Sequence, residues 1–378
     1  MKILIGADIV PTISNQQMFE NEQMDQIVDD KLLEILKNAD YRIFNLEVPL
    51  TDKAEPIKKC GPNLIASTNS AKGLKQLGID FLTLANNHIL DQGEQGLWST
   101  VKLLNNVGIA WAGVGKNPLE AAKPYIAEIG GKKIGIYCCA EHEFSIVTES
   151  SAGANPFDPL ESLDHIVALK TQCDYVICLY HGGKEHYRYP SPGLQKTCRK
   201  IIDKGADLVI CQHTHCIGCE EKWGDGTIVY GQGNFLFDHS DSEFWQTSVV
   251  VQYNLEEGEI EYIPIRKTGN SIRLARGEEG RKILSDMKER TEQIKQNGFV
   301  KDRYRKFAED NIDGYILGDS SINQFLPFRI LNKILKHKLG KSRIKGKIKK
   351  RGVVYINQYE CEAHREMILD GIKGHLIK

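Results

Sequence analysis

The chain has 378 residues, enough for two or three domains and a core that needs no disulfide staples. Hydrophobic residues make up 41% and charged residues 26%, and 49 Lys plus Arg nearly balance 50 Asp plus Glu, which excludes a disordered chain and a general polyanion binder. No apolar run reaches the roughly 18 residues of a membrane span, and the start Met1-Lys2-Ile3-Leu4-Ile5-Gly6-Ala7-Asp8 lacks a secretion-signal core, so a cytoplasmic protein is expected.

In chain order, short apolar runs at Lys2 to Gly6, Tyr41 to Leu46, Phe81 to Ala85, Ile134 to Cys139, Tyr175 to Tyr180 and Leu208 to Cys211 read as buried strands. Helical periods lie between them: Ile27, Leu32, Leu33 and Leu36; Leu97, Val101 and Leu104; Leu160, Leu163, Ile166 and Leu169; Leu194, Cys198, Ile201 and Ile202. Strand alternating with helix predicts a layered α/β sheet. From Thr227 to Arg266 only strand periodicity remains, which favours a mixed sheet with antiparallel members. Residues 278 to 310 read as an exposed helix, and the domain boundary is expected near residue 268. That gives a domain at 1–268 and a mainly helical, partly basic extension at 269–378. Ten cysteines, irregularly spaced and mostly inside apolar runs, read as buried thiols of a reducing compartment.

The polar residues at the carboxyl ends of the expected strands carry the chemistry, because loops there place ligand-binding groups in open α/β sheets. They are Asp8, Glu47, Asn86-Asn87-His88 with Asp91, His181 with Glu185, His213-Thr214-His215, and Asn234. Carboxylate, carboxamide and imidazole without thiolate suit hard or borderline divalent cations. Glu47 is the candidate bridge between two ions. His213 and His215, two apart in an extended strand, would point to one side and reach neighbouring ions. Each residue alone has a plainer role: an Asp after a strand caps or turns, Asn86-Asn87 is a turn pair, and a strand-end His is as often structural as ligating. Their coincidence at the ends of five of the six expected strands is what favours a metal site. The rival reading, a structural zinc or redox site within Cys211 to Cys219, crowds every ligand into nine residues. Gly113-Val114-Gly115-Lys116 is too short for a phosphate loop and reads as a turn.

Six elements in this order, Gly6-Ala7-Asp8, Asn45-Leu46-Glu47-Val48-Pro49-Leu50-Thr51, Ala85-Asn86-Asn87-His88-Ile89-Leu90-Asp91, His181-Gly182-Gly183-Lys184-Glu185, His213-Thr214-His215 and Gly233-Asn234-Phe235-Leu236-Phe237-Asp238, resemble the CapA family of poly-γ-glutamate (capsule) synthesis proteins. The family's domain is similar to the calcineurin-like metallophosphoesterases, and the resemblance covers residues 2 to about 266. It implies a four-layer α/β/β/α sandwich with mixed sheets and two divalent ions of the Mn, Fe, Zn or Mg kind. One would be held by Asp8, Glu47 and His215, the other by Glu47, Asn87, His181 and His213. His88 would act as the acid, oriented by Asp91, while Asn86, Glu185 and Asn234 are expected at the substrate. Three departures stand out. Val10 replaces a phosphoesterase His, which predicts a weak first metal; Glu47 replaces an Asp; and Gly182 stands where CapA relatives carry Trp, which is expected to open the site.

The resemblance implies a metal-dependent hydrolase acting on a phosphoester or γ-glutamyl bond in cell-surface polymer synthesis. A non-catalytic accessory protein that binds an anionic polymer, its precursor or an assembly partner is the alternative. Between Arg329 and Arg351 lie 11 Lys or Arg and no acid, leaving 38 basic against 50 acidic residues elsewhere. Ile330, Leu331, Ile334, Leu335 and Leu339 recur there at helical spacing, so 323–351 is a candidate contact with an anionic inner membrane face or a polymer-synthesis complex. Nucleic acid is not expected, since the acidic body repels its backbone and no aromatic platform accompanies the lysines.

Overall fold

The computed structural model describes residues 1–12, 14–237, 241–318 and 338–376. The apolar runs form two sheets. The first contains β1 (Lys2–Ile9), β2 (Tyr41–Leu46), β3 (Phe81–Thr83), β4 (Ala110–Ala112), β13 (Asn234–Leu236), β14 (Thr247–Asn254), β15 (Glu259–Thr268) and β16 (Ser271–Leu274), in the order β16-β15-β14-β1-β2-β3-β4 with β13 beside β1. The second contains β6 (Tyr125–Ile129), β7 (Lys132–Ala140), β9 (Tyr175–His181), β10 (Leu208–Gln212), β11 (Glu220–Trp223) and β12 (Gly226–Tyr230), in the order β11-β12-β10-β9-β7-β6. Both are mixed: β1 runs parallel to β2 and antiparallel to β14, while β9 is parallel to β10 and β6 antiparallel to β7. A short pair, β5 (Val114–Gly115) and β8 (Gly153–Ala154), takes up part of the Gly113 to Lys116 turn.

Side-chain alternation along these strands builds three cores and therefore four layers. Ile3 and Ile5 of β1 join Ile43 and Phe81 in facing Ile136, Ile177, Leu179 and Ile210 of the second sheet. Leu4, Phe44 and Leu82, on the opposite face, pack against Leu32 and Leu36 of the Asp30–Lys37 helix and Leu97 and Leu104 of the Gly93–Val107 helix. On the far face of the second sheet, Tyr137, Cys178 and Val209 meet Ile166 and Leu169 of the Ser162–Lys170 helix and Cys198 and Ile201 of the Pro192–Asp203 helix. The α/β/β/α sandwich is thus present. All ten cysteines are free and seven are buried, as the apolar settings of the thiols predicted.

The chain divides into two compact units, Met1–Lys301 and Asp302–Lys378. The sequence-based boundary near 268 falls inside the first, because β16 extends the first sheet and the next helix is not free. Gly277–Ile294 buries Ile283 and Met287 in the inter-sheet core and Ile294 in the third core. Its Arg290 Nε donates to Gly218 O at 2.8 Å, and Thr291 Oγ1 accepts from Glu220 N at 2.9 Å. The helix expected to be exposed therefore packs one face onto the two cores. In the second unit, Lys338–Glu360 and Glu362–Leu376 are helical. Most of the basic 323–351 stretch lies outside the described residues, including the 329–337 part of its apolar repeat. Among the described residues no helix is long and apolar enough to cross a membrane.

Candidate metal centre

The carboxyl ends of β1, β2 and β9, the residues after β10, and the start of β13 converge at one edge of the sandwich. Two triads form there: Asp8, Glu47 and His215, and Glu47, His181 and His213, with the ligand atoms of each within 4.8 Å of one another. Glu47 belongs to both. All five residues are buried, Asp8 and Glu47 completely. Asn87 joins the second triad, its Oδ1 lying 3.0 Å from His181 Nε2.

Whether these residues fit divalent ions is tested by what the fold leaves unsatisfied. Glu47 Oε1 and Oε2, Asp8 Oδ2 and His213 Nδ1 are buried without a hydrogen-bond partner. Glu47 Oε1 lies 3.3 Å from His181 Nε2, and Asp8 Oδ2 lies 3.6 Å from His215 Nδ1. In folded proteins buried polar atoms are nearly always paired, and orphaning one costs about 1–3 kcal/mol. Four such atoms on three residues of the two triads supply donors for a cation, and oxygen and nitrogen donors without thiolate fit Mn, Fe, Zn or Mg.

The electrostatics agree. Burial and the neighbouring Asp8 charge raise the Glu47 carboxyl to about 8. Burial pulls His181 down to about 4, and burial with the adjacent His181 and His215 charges holds His213 well below its ordinary value. Burial opposes protonation of His215 as well, but Glu47 and Asp8 outweigh it and lift His215 to about 9. Glu47 thus resists ionising beside two imidazoles, His181 and His213, that resist protonation, and His215 alone favours the charged form; neutral imidazole at His181 and His213 is the form that ligates a cation.

His213 and His215 reach the triads differently from expectation. β10 ends at Gln212, and both histidines have left-handed backbone, with φ of 84° and 52°. Strand alternation therefore does not align them; two left-handed residues flanking Thr214 turn their rings inward, 6.0 Å apart. Such conformations cost of order 1–3 kcal/mol each for a residue with a side chain.

Around the triads, Asn45 is a hub that the sequence reading passed over. Its Nδ2 donates to Asp8 Oδ1 at 2.8 Å and lies 3.2 Å from His181 Nδ1, and its Oδ1 accepts from Asn86 Nδ2 at 3.1 Å. Asn86, expected at the substrate, is instead fully buried: it donates to Leu46 O and accepts from His88 N. Asn234 likewise holds His215, with Oδ1 2.8 Å from Nδ1. Glu185 is near enough to feel the charges of the centre's histidines. Burial opposes its ionisation, yet the His213 and His215 charges hold its carboxyl below its ordinary value.

His88 and Asp91 form the expected pair, Nδ1 to Oδ2 at 2.6 Å, and Leu64 N also donates to Asp91 Oδ2. Lys59, absent from the sequence reading, pairs with Asp91 Oδ1 and lies 3.1 Å from His88 Nδ1, its side chain only 2% exposed. Nothing in its spacing marked it; only the fold of the 52–66 loop brings it in. Glu143 Oε2 accepts from Asn87 Nδ2 at 2.9 Å and fixes that carboxamide. Val10 sits in the hydrophobic core, so the first triad receives no fourth ligand from that position. Gly182 does not open the site: a Cβ there would meet Tyr180 Cε1 at 2.5 Å and Glu141 Cγ at 2.7 Å, so those side chains already fill the space. Cys216 and Cys219 are buried outside the triads, and burial pushes the Cys216 thiol up to about 11, which leaves the redox reading without a reactive thiolate.

The sequence profile described as "Bacterial capsule synthesis protein PGA_cap" matches residues 2–239, well over half of the chain. The chain belongs to this family. Among curated relatives, "Capsule biosynthesis protein CapA" of Bacillus anthracis is 29% identical over 231 residues, covering 59% of this chain and 56% of that one. "PGA biosynthesis protein CapA" of Bacillus subtilis (strain 168) is 28% identical over 243 residues, covering 61% and 62%. A "Probable polyglutamine synthesis accessory protein" of Mycobacterium tuberculosis is 28% identical over 222 residues, covering 55% and 58%. The matches thus span 56–62% of these relatives' own length. Among solved structures, a 5'-nucleotidase precursor from Thermus thermophilus aligns at TM-score 0.39 and 12% identity, covering 82% of this chain and 59% of that one. A 5'-nucleotidase from Candida albicans aligns at TM-score 0.41 and 12% identity, covering 82% and 57%.

Proposed function

We propose that this PGA_cap family protein is a metal-dependent hydrolase of capsule or poly-γ-glutamate synthesis, cleaving a phosphoester or a γ-glutamyl bond. The observation that carries the reading is the shared, doubly orphaned Glu47 carboxylate between two imidazole-bearing triads. Asp8, Glu47 and His215 would hold one divalent ion and Glu47, Asn87, His181 and His213 the other. When bound, such ions supply a Lewis acid and a water nucleophile at neutral pH. Asn45 fixes Asp8, and Glu143 fixes Asn87. Asp91, accepting from His88 Nδ1, leaves Nε2 as the atom that protonates a leaving oxygen, while Glu185 would meet the substrate.

The test is metal per chain by mass spectrometry on dialysed protein, with Glu47→Gln and His213→Ala beside wild type. Two equivalents in wild type, falling in both variants, with hydrolysis of a phosphoester or γ-glutamyl probe that falls in parallel, are expected. A protein that takes up no Mn or Zn would overturn the reading.

Val10 favours a second reading. With that position in the core, a weak first site would leave an accessory protein that holds an anionic chain without turnover. One equivalent of metal with no hydrolysis of either probe is its signature.

A further inference from the structure

Beside the metal centre lies a cavity of about 370 Å³ lined by Arg188, Arg266, Lys282 and Arg290 together with Glu243, Glu279 and Asp286. The acids do not neutralise it evenly. Glu279 is held by Arg273 at 2.7 Å with Arg266 at 3.8 Å, and Asp286 by Lys282 at 3.1 Å. Glu243, the partner of Arg188 at 3.7 Å, is 78% exposed and loosely held. Arg290 makes its hydrogen bond to a backbone carbonyl, Gly218 O, and among the described residues no carboxylate pairs with it. Arg188 and Arg290 line the same cavity, and burial together with the Arg188 charge pulls Arg290 below its ordinary pKa. Leaving a partly buried cation unpaired next to another is costly, and a planar guanidinium pair suits the bidentate recognition of carboxylate or phosphate.

A chain of side-chain contacts leads from the cavity to the metal centre. Arg188 lies over the Phe244 ring at 4.7 Å, Phe244 stacks on His186 at 5.3 Å, and Trp245 Nε1 donates to His186 Nε2 at 3.0 Å while its ring packs 5.1 Å from His215. Ile217, which also lines the cavity, follows His215 by two residues.

We propose that this cavity is an oxyanion-binding subsite in which Arg188 and Arg290 grip a carboxylate or phosphate of an extended anionic ligand whose neighbouring unit reaches the metal centre. The subsite deepens the hydrolase reading, on which its link to the metal centre rests, but its binding chemistry stands apart from metal.

The test is calorimetric titration of full-length protein, metal-loaded and metal-stripped, with γ-linked pentaglutamate and with inorganic phosphate, for wild type, Arg188→Gln and Arg290→Lys. Arg290→Lys keeps the charge and guards against a variant that fails to fold, and circular dichroism checks both. Salt-sensitive binding of either probe that weakens at least tenfold in Arg188→Gln and several-fold in Arg290→Lys, with metal content unchanged, is expected. Pentaglutamate binding with those losses assigns a polymer carboxylate, and phosphate binding alone assigns a phosphoryl group. If folded variants bind both probes as wild type does, or wild type binds neither, the subsite is wrong. Loss of metal uptake with intact arginine-dependent binding would instead remove the hydrolase reading and keep the subsite.

Discussion

The Glu47 carboxyl and the His215 imidazole, both raised by their surroundings, make metal-stripped protein sensitive to alkali. A group whose folded pKa lies above its unfolded value gives stability that is complete below the unfolded value and lost as pH climbs to the folded one. For Glu47 the window runs from 4.5 to about 8, and for His215 from 6.5 to about 9. His181, lowered to about 4, works the other way but has given its full contribution by pH 6.5. The melting temperature of chelator-treated protein should therefore fall between pH 6.5 and 9, and Glu47→Gln should flatten the fall; a flat wild-type profile would contradict the burial argument. Lys59 and Asp91 give a second test. Their side chains are 2% and 0% exposed, so Lys59→Met takes the lysine ammonium from a buried carboxylate that keeps His88 Nδ1 and Leu64 N, and should cost about 1.5–3 kcal/mol by urea titration. A loss below about 1 kcal/mol, the scale of an exposed ion pair, would show that water reaches Asp91. Residues whose chemistry is carried by type and position in an expected strand end, such as Asp8, Glu47, His181 and His213, were legible in the sequence. Asn45 and Lys59 were not, because their roles come from hydrogen bonds between segments far apart in the chain. The internal bonds of Asn86 and Asn234 were hidden for the same reason: a carboxamide in a loop reads alike whether it touches a ligand or fixes a neighbour.

At the scale of elements, β1 shows how tightly the centre is tied to the packing behind it. Gly6 lies two residues before Asp8, and a methyl added there would come within 2.0 Å of the Phe44 ring, which packs edge-on against Phe235 at 4.7 Å. Gly6→Ala should cost roughly 1–3 kcal/mol through overpacking, and because the same strand presents Asp8 it should also weaken metal uptake. Thermal melts and metal titration check both effects; a variant as stable as wild type would show that Phe44 has room to move. The strands themselves were readable because buried runs bounded by turn residues have a period the eye can follow. The backbone at His213 and His215 was not, since an apolar run flowing into Gln212-His213-Thr214-His215 gives no local sign of where the extended conformation stops. The helix at Gly277–Ile294 was misjudged for a related reason: its sparse apolar positions look solvated until a carbonyl at Gly218 is there to receive Arg290.

For the whole molecule, the first unit should survive alone but not when cut at the boundary that composition suggested. A chain ending at Lys301 keeps β16 and the Gly277–Ile294 helix and should melt cooperatively with its metal stoichiometry intact. A chain ending at 268 uncovers Ile265 and removes Ile272, Ile283 and Met287 from the cores, and should be aggregated or protease-labile. Equal behaviour of the two would mean that the helix is an ornament. The composition shift at 268 marks where strands give way to helices, and that change of element type need not coincide with the edge of a core. The two left-handed histidines carry a consequence of another kind. Their backbone would suit glycine or asparagine better, so a library of variants screened for heat resistance without metal should be enriched at 213 and 215, and the survivors should be the ones that have lost the centre. Thermal tolerance and metal occupancy would then have to be selected together for the activity to outlast the improvement.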